Sequence, residues 1–260
     1  MNLFLHGIGI DPKHPAISIG DSLEATPELV DMVLTNPPFG KKSSFTIVGA
    51  GGKNLTDKIS YARPDFWATT SNKQLNFVQH VHSMLKDGGR AAVVVPDNVL
   101  FEGGAGEKIR KALINRCNVH TLLRLPIGIW YSPGVKANVL FFDKHPISVR
   151  PATKQLWVYD LRSDQKFSLR QKPITSDDLA DFVRSYQSED FARRKESDLF
   201  RCFSYSQIVA REKANMNFSW EGVKEAVGED ESPQSLMRKI LRDLESAITE
   251  FSEVETVLSE

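Results

Sequence analysis

Short unbroken apolar runs alternate along the chain with stretches of helical spacing. Residues 31–35 (Asp-Met-Val-Leu-Thr) are followed at once by Asn36-Pro37-Pro38. That pattern reads as a buried strand with a sharp stop, because each proline removes a ladder donor. Ala91-Ala92-Val93-Val94-Val95 is a second strand, closed by Pro96. Residues 119–125, closed by Pro126, residues 139–142 and residues 157–159 read as three more. Ile17-Ser18-Ile19 is a shorter apolar stretch, stopped by Gly20-Asp21. Leu75, Val78, Val81 or His82, and Leu85 repeat at helical spacing, with Asn72 as cap and Gly88-Gly89 as stop, so a helix is predicted over 72–86. Ile109, Ala112 and Leu113 share one face of a second helix over 106–115.

Strands alternating with helices imply an α/β sheet, mostly parallel and covered on both faces. No helix separates 119–125 from 139–142, so those two should form an antiparallel hairpin at one edge. Residues 40–70, rich in Gly, Ser, Lys and Thr, are predicted as a long surface loop. Residues 160–215 are polar with few clear periods. Residues 233–258 form a predicted long helix, in which Met237, Leu241, Leu244, Ile248, Phe251 and Leu258 make a near-heptad stripe. That stripe packs either on its own domain or on a partner's helix. The divisions expected are 1–150, a polar extension over 151–215, and a helical tail over 216–260.

Charge narrows the reading. The 260 residues hold 33 Lys plus Arg and 33 Asp plus Glu, a net charge of zero. A lone nucleic-acid binder usually carries excess base. Any DNA contact must therefore come from local patches, such as Lys41, Lys42 and Lys53 or Arg193-Arg194-Lys195, or from a partner. Such clusters also occur as plain solvated surface. Cys117 and Cys202 have no metal-ligand spacing, and the histidines are scattered, His80 and His82 lying on different faces of one helix. Neither a zinc module nor a disulfide scaffold is expected, and a reducing cytoplasm fits. No apolar run has the length of a membrane span. The chain start lacks a signal-peptide pattern, and Gly7-Ile8-Gly9 reads as a turn.

The residues after the 31–35 strand carry specific chemistry. Ligands of open α/β sheets bind at the carboxyl ends of strands. An exocyclic adenine amine is a poor nucleophile, because its lone pair is delocalised into the ring. Two acceptors on its N–H groups draw the nitrogen toward tetrahedral geometry. The Asn36 carboxamide oxygen can be one. A backbone carbonyl held in direction by Pro37 and Pro38 can be the other. Phe39 offers a face for the base, which must first leave the duplex stack. A sulfonium methyl donor would need no metal and no general base. The alternative for this tetrapeptide is an ordinary Asn-Pro turn. Asp21, in Gly20-Asp21-Ser22-Leu23, can accept a hydrogen bond from a cofactor's adenine amine, although Gly-Asp-Ser is also a common turn.

Several blocks carry a resemblance. They are Leu34-Thr35-Asn36-Pro37-Pro38-Phe39-Gly40, Ser71-Asn72-Lys73-Gln74-Leu75, residues 88–101, Leu123-Arg124-Leu125-Pro126, residues 134–142 and residues 157–162. Together they closely resemble the modification subunit of type I restriction–modification systems, over most of residues 1–162. Phe218-Ser219-Trp220 is similar to the family's tail. The resemblance implies a Rossmann-like, S-adenosylmethionine-dependent methyltransferase sheet that methylates adenine N6 in double-stranded DNA. It implies assembly with a specificity subunit and a restriction subunit in the cytoplasm. It places catalysis at Asn36, Pro37, Pro38 and Phe39, and cofactor binding at Asp21, Ser22 and Leu23, with no metal.

The chain also departs from the family. The family's helical N-terminal domain, its Gly-rich turn and the acidic residue for the cofactor ribose have no counterpart in these 260 residues. The expected fold is therefore a sheet lacking its first strands, with 17–19 as a strand deprived of neighbours and 31–35 as an unpaired edge. Impaired activity follows as an expectation. The alternative is a non-catalytic remnant that binds only the specificity subunit. A methyltransferase for protein glutamine or RNA fits less well, since those commonly have Tyr where Phe39 stands.

Overall fold

Residue types along the chain sort into strands β1 (Val30–Thr35), β2 (Ser44–Val48), β3 (Asn54–Lys58), β4 (Leu85–Pro96), β5 (Cys117–Arg124), β6 (Ala137–Lys144), β7 (Gln155–Asp160) and β8 (Phe200–Ser204). The helices are α1 (Lys73–Met84), α2 (Asp97–Phe101), α3 (Ala105–Arg116), α4 (Ala180–Tyr186) and α5 (Tyr205–Ala210). The computed structural model describes residues 5–8, 11, 17, 19–24, 28–39, 44–48, 54–58, 61–130, 135–162, 167–168, 172–187, 190–220 and 237. The 233–258 stripe, apart from Met237, and Lys41, Lys42 and Lys53 lie outside them.

Six strands form one sheet in the order β1-β4-β6-β5-β7-β8. β1 runs parallel to β4, and β5 parallel to β7. The other three pairings are antiparallel. The sheet is thus mixed rather than mostly parallel. The β5–β6 pair is antiparallel as expected, but it is not at an edge. β6 inserts between β4 and β5, and β7 and β8 extend the sheet beyond β5.

Three other expectations are corrected. Ile17 and Ile19 are exposed and belong to no strand, since no described strand offers them a ladder. The 31–35 strand is not buried: β1 lies at the sheet edge, as expected of a sheet lacking its first strands, with only Val33 buried and Leu34 73% exposed. The expected long loop contains an antiparallel hairpin, β2–β3.

Side chains of successive strand residues point to opposite faces. One face carries Val93, Val95, Leu122, Leu140 and Phe142, packed under Leu75, Val78 and Val81 of α1 and Ile109 and Leu113 of α3. The other carries Leu123, Phe141 and Tyr159, covered by Phe182 and Tyr186 of α4. That cover stops short of β1. There Met32, Leu34, Ala92 and Phe141 line an open hollow.

Asn72 caps α1, its Oδ1 accepting from Gln74 N and Leu75 N. Among the amides that α1 buries are Asn76 and Gln79. Both are satisfied by the preceding loop. Gln79 Oε1 accepts from Ala68 N at 2.9 Å and its Nε2 donates to Ala68 O at 3.0 Å, while Asn76 Nδ2 donates to Thr70 O at 2.8 Å.

The segment after β8 returns across the sheet. Two buried arginines hold it. Arg110 donates to Ala214 O, Lys213 O and Val99 O, and its burial lowers its pKa to about 10. Arg124 donates to Phe218 O. Arg194, expected on a solvated basic surface, is instead buried over the Phe191 and Tyr186 rings. Among the described residues no helix is long and apolar enough to cross a membrane.

Candidate active site

β1 and β4 are neighbouring parallel strands, with Thr35 opposite Val93. The chain leaves β1 at its carboxyl end as Asn36-Pro37-Pro38-Phe39. Asn36 and Pro38 are exposed, Pro37 is buried and Phe39 is half-buried. The buried Pro37 ring anchors the turn while Asn36 faces outward. This leaves the Asn36 carboxamide open to a ligand.

A second aromatic residue stands beside this turn. Trp130 lies in edge-to-face contact with Phe39, ring centroids 5.1 Å apart and planes at 87°. Trp130 comes from the loop after β5, so residues 91 positions apart in sequence meet at the carboxyl ends of β1 and β5. The loop path depends on Gly128. Its φ is +86°, and a Cβ there would lie 2.0 Å from Phe167 O, so no other residue fits. The sequence reading missed Trp130. The available signal was an aromatic pair, Trp130-Tyr131, shortly after a strand closed by Pro126.

A polar rim adjoins the carboxyl ends of β4 and β5 and the amino end of β6. Asn138 Nδ2 donates to Asp97 Oδ1 at 2.7 Å, and Arg124 Nη2 lies 3.6 Å from Asp97 Oδ2. Glu102 accepts from Asn72 and Asn98 at 3.0 Å each, joining the start of α1 to α2.

Asp21 sits in a different group of side chains. Its Oδ1 accepts from Leu23 N at 2.9 Å, and its Oδ2 accepts from Tyr61 OH at 2.6 Å. Arg63 joins the same group, donating to Leu23 O at 2.9 Å and lying 3.0 Å from His80 Nδ1 on α1. Leu23 is buried, whereas Ser22 and Asp21 are exposed. A carboxylate fixed by two bonds but open to solvent keeps lone pairs for one more donor. It can therefore accept from an exocyclic amine or another N–H donor. Described residues join Asp21 to Tyr61 and Leu23, and separately Phe39 to Trp130. Among the described residues no cluster of three or more His, Cys, Asp or Glu side chains could hold a metal.

The family model described as N-6 DNA Methylase matches residues 1–230. This chain belongs to the N-6 DNA methylase family. The methylase chain is 36% identical to the EcoKI methylase subunit of Escherichia coli K12, across 96% of itself and 52% of that protein. It is 37% identical to the StySPI methylase subunit of Salmonella potsdam, across 90% of itself and 48% of that protein. The solved EcoKI M protein superposes with a TM-score of 0.72 at 33% identity, covering 100% of the methylase chain and 57% of that chain. The methylase chain thus spans about half the length of the curated relatives it matches. The expected methyltransferase-type α/β fold is the one found.

Proposed function

We propose that this chain carries the base-binding part of an adenine-N6 DNA methyltransferase of the type I restriction–modification class. The observation that supports this most is the exposed Asn36 at the carboxyl end of β1, with Phe39 in the same turn and Trp130 against it. A flipped adenine placed there donates one amine N–H to Asn36 Oδ1 and the other to the Pro37 carbonyl. The nitrogen lone pair is thereby freed from the ring. Phe39 supplies a stacking face worth about 1–3 kcal/mol, which offsets part of the unstacking cost.

Asp21 would hold the adenine amine of S-adenosylmethionine, with Ser22 and Leu23 forming the same turn. Bound there, that cofactor supplies an already activated sulfonium methyl. With zero net charge the chain gains DNA affinity through partners and local patches. The partners are a specificity subunit that reads sequence and a restriction subunit.

A second reading is a non-catalytic remnant that binds the specificity subunit. The open edge of β1, with Leu34 exposed, favours it. Two measurements separate the readings. Calorimetric titration with S-adenosylmethionine gives heat for the enzyme and none for the remnant. Transfer of tritiated methyl to DNA, assayed with the specificity subunit, yields N6-methyladenine for the enzyme only. The chain by itself is expected to transfer little methyl. Full transfer by the purified chain alone would reject that expectation.

A further inference from the structure

The Phe39–Trp130 pair has a geometry that a bound base cannot share. A base held between two rings makes a van der Waals contact on each of its faces, about 3.5–4.0 Å each, so the rings must stand roughly 7 Å apart and face one another. Here the planes are at 87° and the centroids 5.1 Å apart. The edge of one ring occupies the space over the face of the other.

A second observation concerns the same side chain. Trp130 Nε1 is buried and has no hydrogen-bond partner among the described residues. Buried indole N–H groups usually find an acceptor. An unmet donor raises the energy of the arrangement that buries it. The closed pair is held by apolar contact, with Phe39 and with the core cluster that includes Leu123 and Leu125, against an unsatisfied polar group, and movement of the indole relieves that penalty. Trp130 sits four residues after Pro126 and two after Gly128, on a loop rather than within the sheet. Its ring can swing without breaking a strand ladder.

We infer that Trp130 closes the base site of the free chain by resting against Phe39, and that the flipped adenine enters only after the indole moves aside. The inference rests on the reading that Phe39 receives the base. Opening trades an edge contact between two rings for stacking on a base, and it gives the indole N–H access to an acceptor on the nucleic acid or in solvent. A base that stacks poorly does not displace the indole as readily. The pair therefore acts as a selectivity step before chemistry.

The test uses the assembled methylase with its specificity subunit and DNA carrying 2-aminopurine at the target position, whose fluorescence rises when the base leaves the stack. Stopped-flow traces give the flipping rate for wild type, Trp130→Ala and Trp130→Phe. Both variants remove the indole, and the phenylalanine keeps a ring for stacking, so a signal survives even if the alanine variant gives none. The expected result is a flipping rate raised about tenfold in Trp130→Ala, with a smaller rise in Trp130→Phe, corresponding to about 1.4 kcal/mol off the barrier. An unchanged or slower rate in the variants would overturn the closed-site inference. A separate arm tests the underlying reading: on DNA carrying adenine at the same position, Asn36→Ala should lose methyl transfer, whatever the flipping rates of the Trp130 variants, and unchanged transfer would overturn that reading alone. A wild-type complex that never raises the 2-aminopurine signal would overturn both.

Discussion

Arg124 Nη1 donates to Phe218 O at 2.6 Å across 94 residues of sequence. Arg124 is 1% exposed, at the end of a central strand, and its Nη2 also faces Asp97. This single side chain joins the sheet, the polar rim beside the Asn36 turn, and the returning C-terminal segment. Arg124→Ala removes the cation, leaving the Asp97 carboxylate and the Phe218 carbonyl without it. A loss of about 3–5 kcal/mol in folding stability is expected, read from urea unfolding. A loss below about 1 kcal/mol would show that this strap carries little.

The loop before α1 gives a more local prediction. Gln79 satisfies both backbone groups of Ala68 and is almost fully buried. Gln79→Ala leaves a donor and an acceptor unmet, at about 1–3 kcal/mol. Hydrogen exchange at the Ala68 amide should accelerate, while amides in β6 change only with global stability.

How much of this was legible beforehand follows from particular residues. β4, α1 and α3 announce themselves through Val93, Val95, Leu75 and Ile109, because apolar spacing and burial coincide there. Asn72 was identifiable as a cap for the same local reason. Sheet order was not legible, since nothing local says that β6 enters between β4 and β5. Nor was the burial of Arg110, Arg124 and Arg194, each of which depends on carbonyls or rings supplied by distant segments. At the site, Asn36 to Phe39 stood out because the diproline follows an apolar run. Trp130 did not, because its partner Phe39 lies in another part of the chain.

His82 makes stability depend on pH. Burial, helped by Lys144 and Arg116, lowers its pKa to about 4 from an ordinary 6.5. Its ring packs on Trp67, centroids 4.5 Å apart. Between those two values the unfolded chain binds a proton that the folded chain does not, so stability rises with pH. The contribution is complete above pH 6.5 and is lost as pH falls toward 4. His80 is shifted in the same direction by burial and by Arg63. Asp65, held near 2 mainly by its hydrogen bond to Arg63, releases its contribution only below 3.8, outside that window. Thermal unfolding of His82→Gln should show a shallower fall in melting temperature from pH 6.5 to 4 than wild type. Identical slopes would contradict this.

Phe39 is half-buried and touches Trp130, so its role in binding can be separated from its role in packing. In the assembled methylase, Phe39→Ala is expected to weaken flipped-base binding by about 1–3 kcal/mol through lost stacking. Phe39→Tyr keeps the ring and should retain most of the activity. Equal losses in the two variants would argue that the ring serves packing alone.

The central claim concerns the Asn36 carboxamide, and one measurement addresses it directly. Steady-state transfer of tritiated methyl to adenine N6 is compared between wild type and Asn36→Ala, each assembled with the specificity subunit. Because Asn36 is exposed, its truncation should change stability by less than about 0.5 kcal/mol. Loss of an acceptor that acts on the reacting amine should lower kcat by about 100-fold or more, with the KM for S-adenosylmethionine little changed. An Asn36→Ala complex that methylates adenine at the wild-type rate would contradict the account.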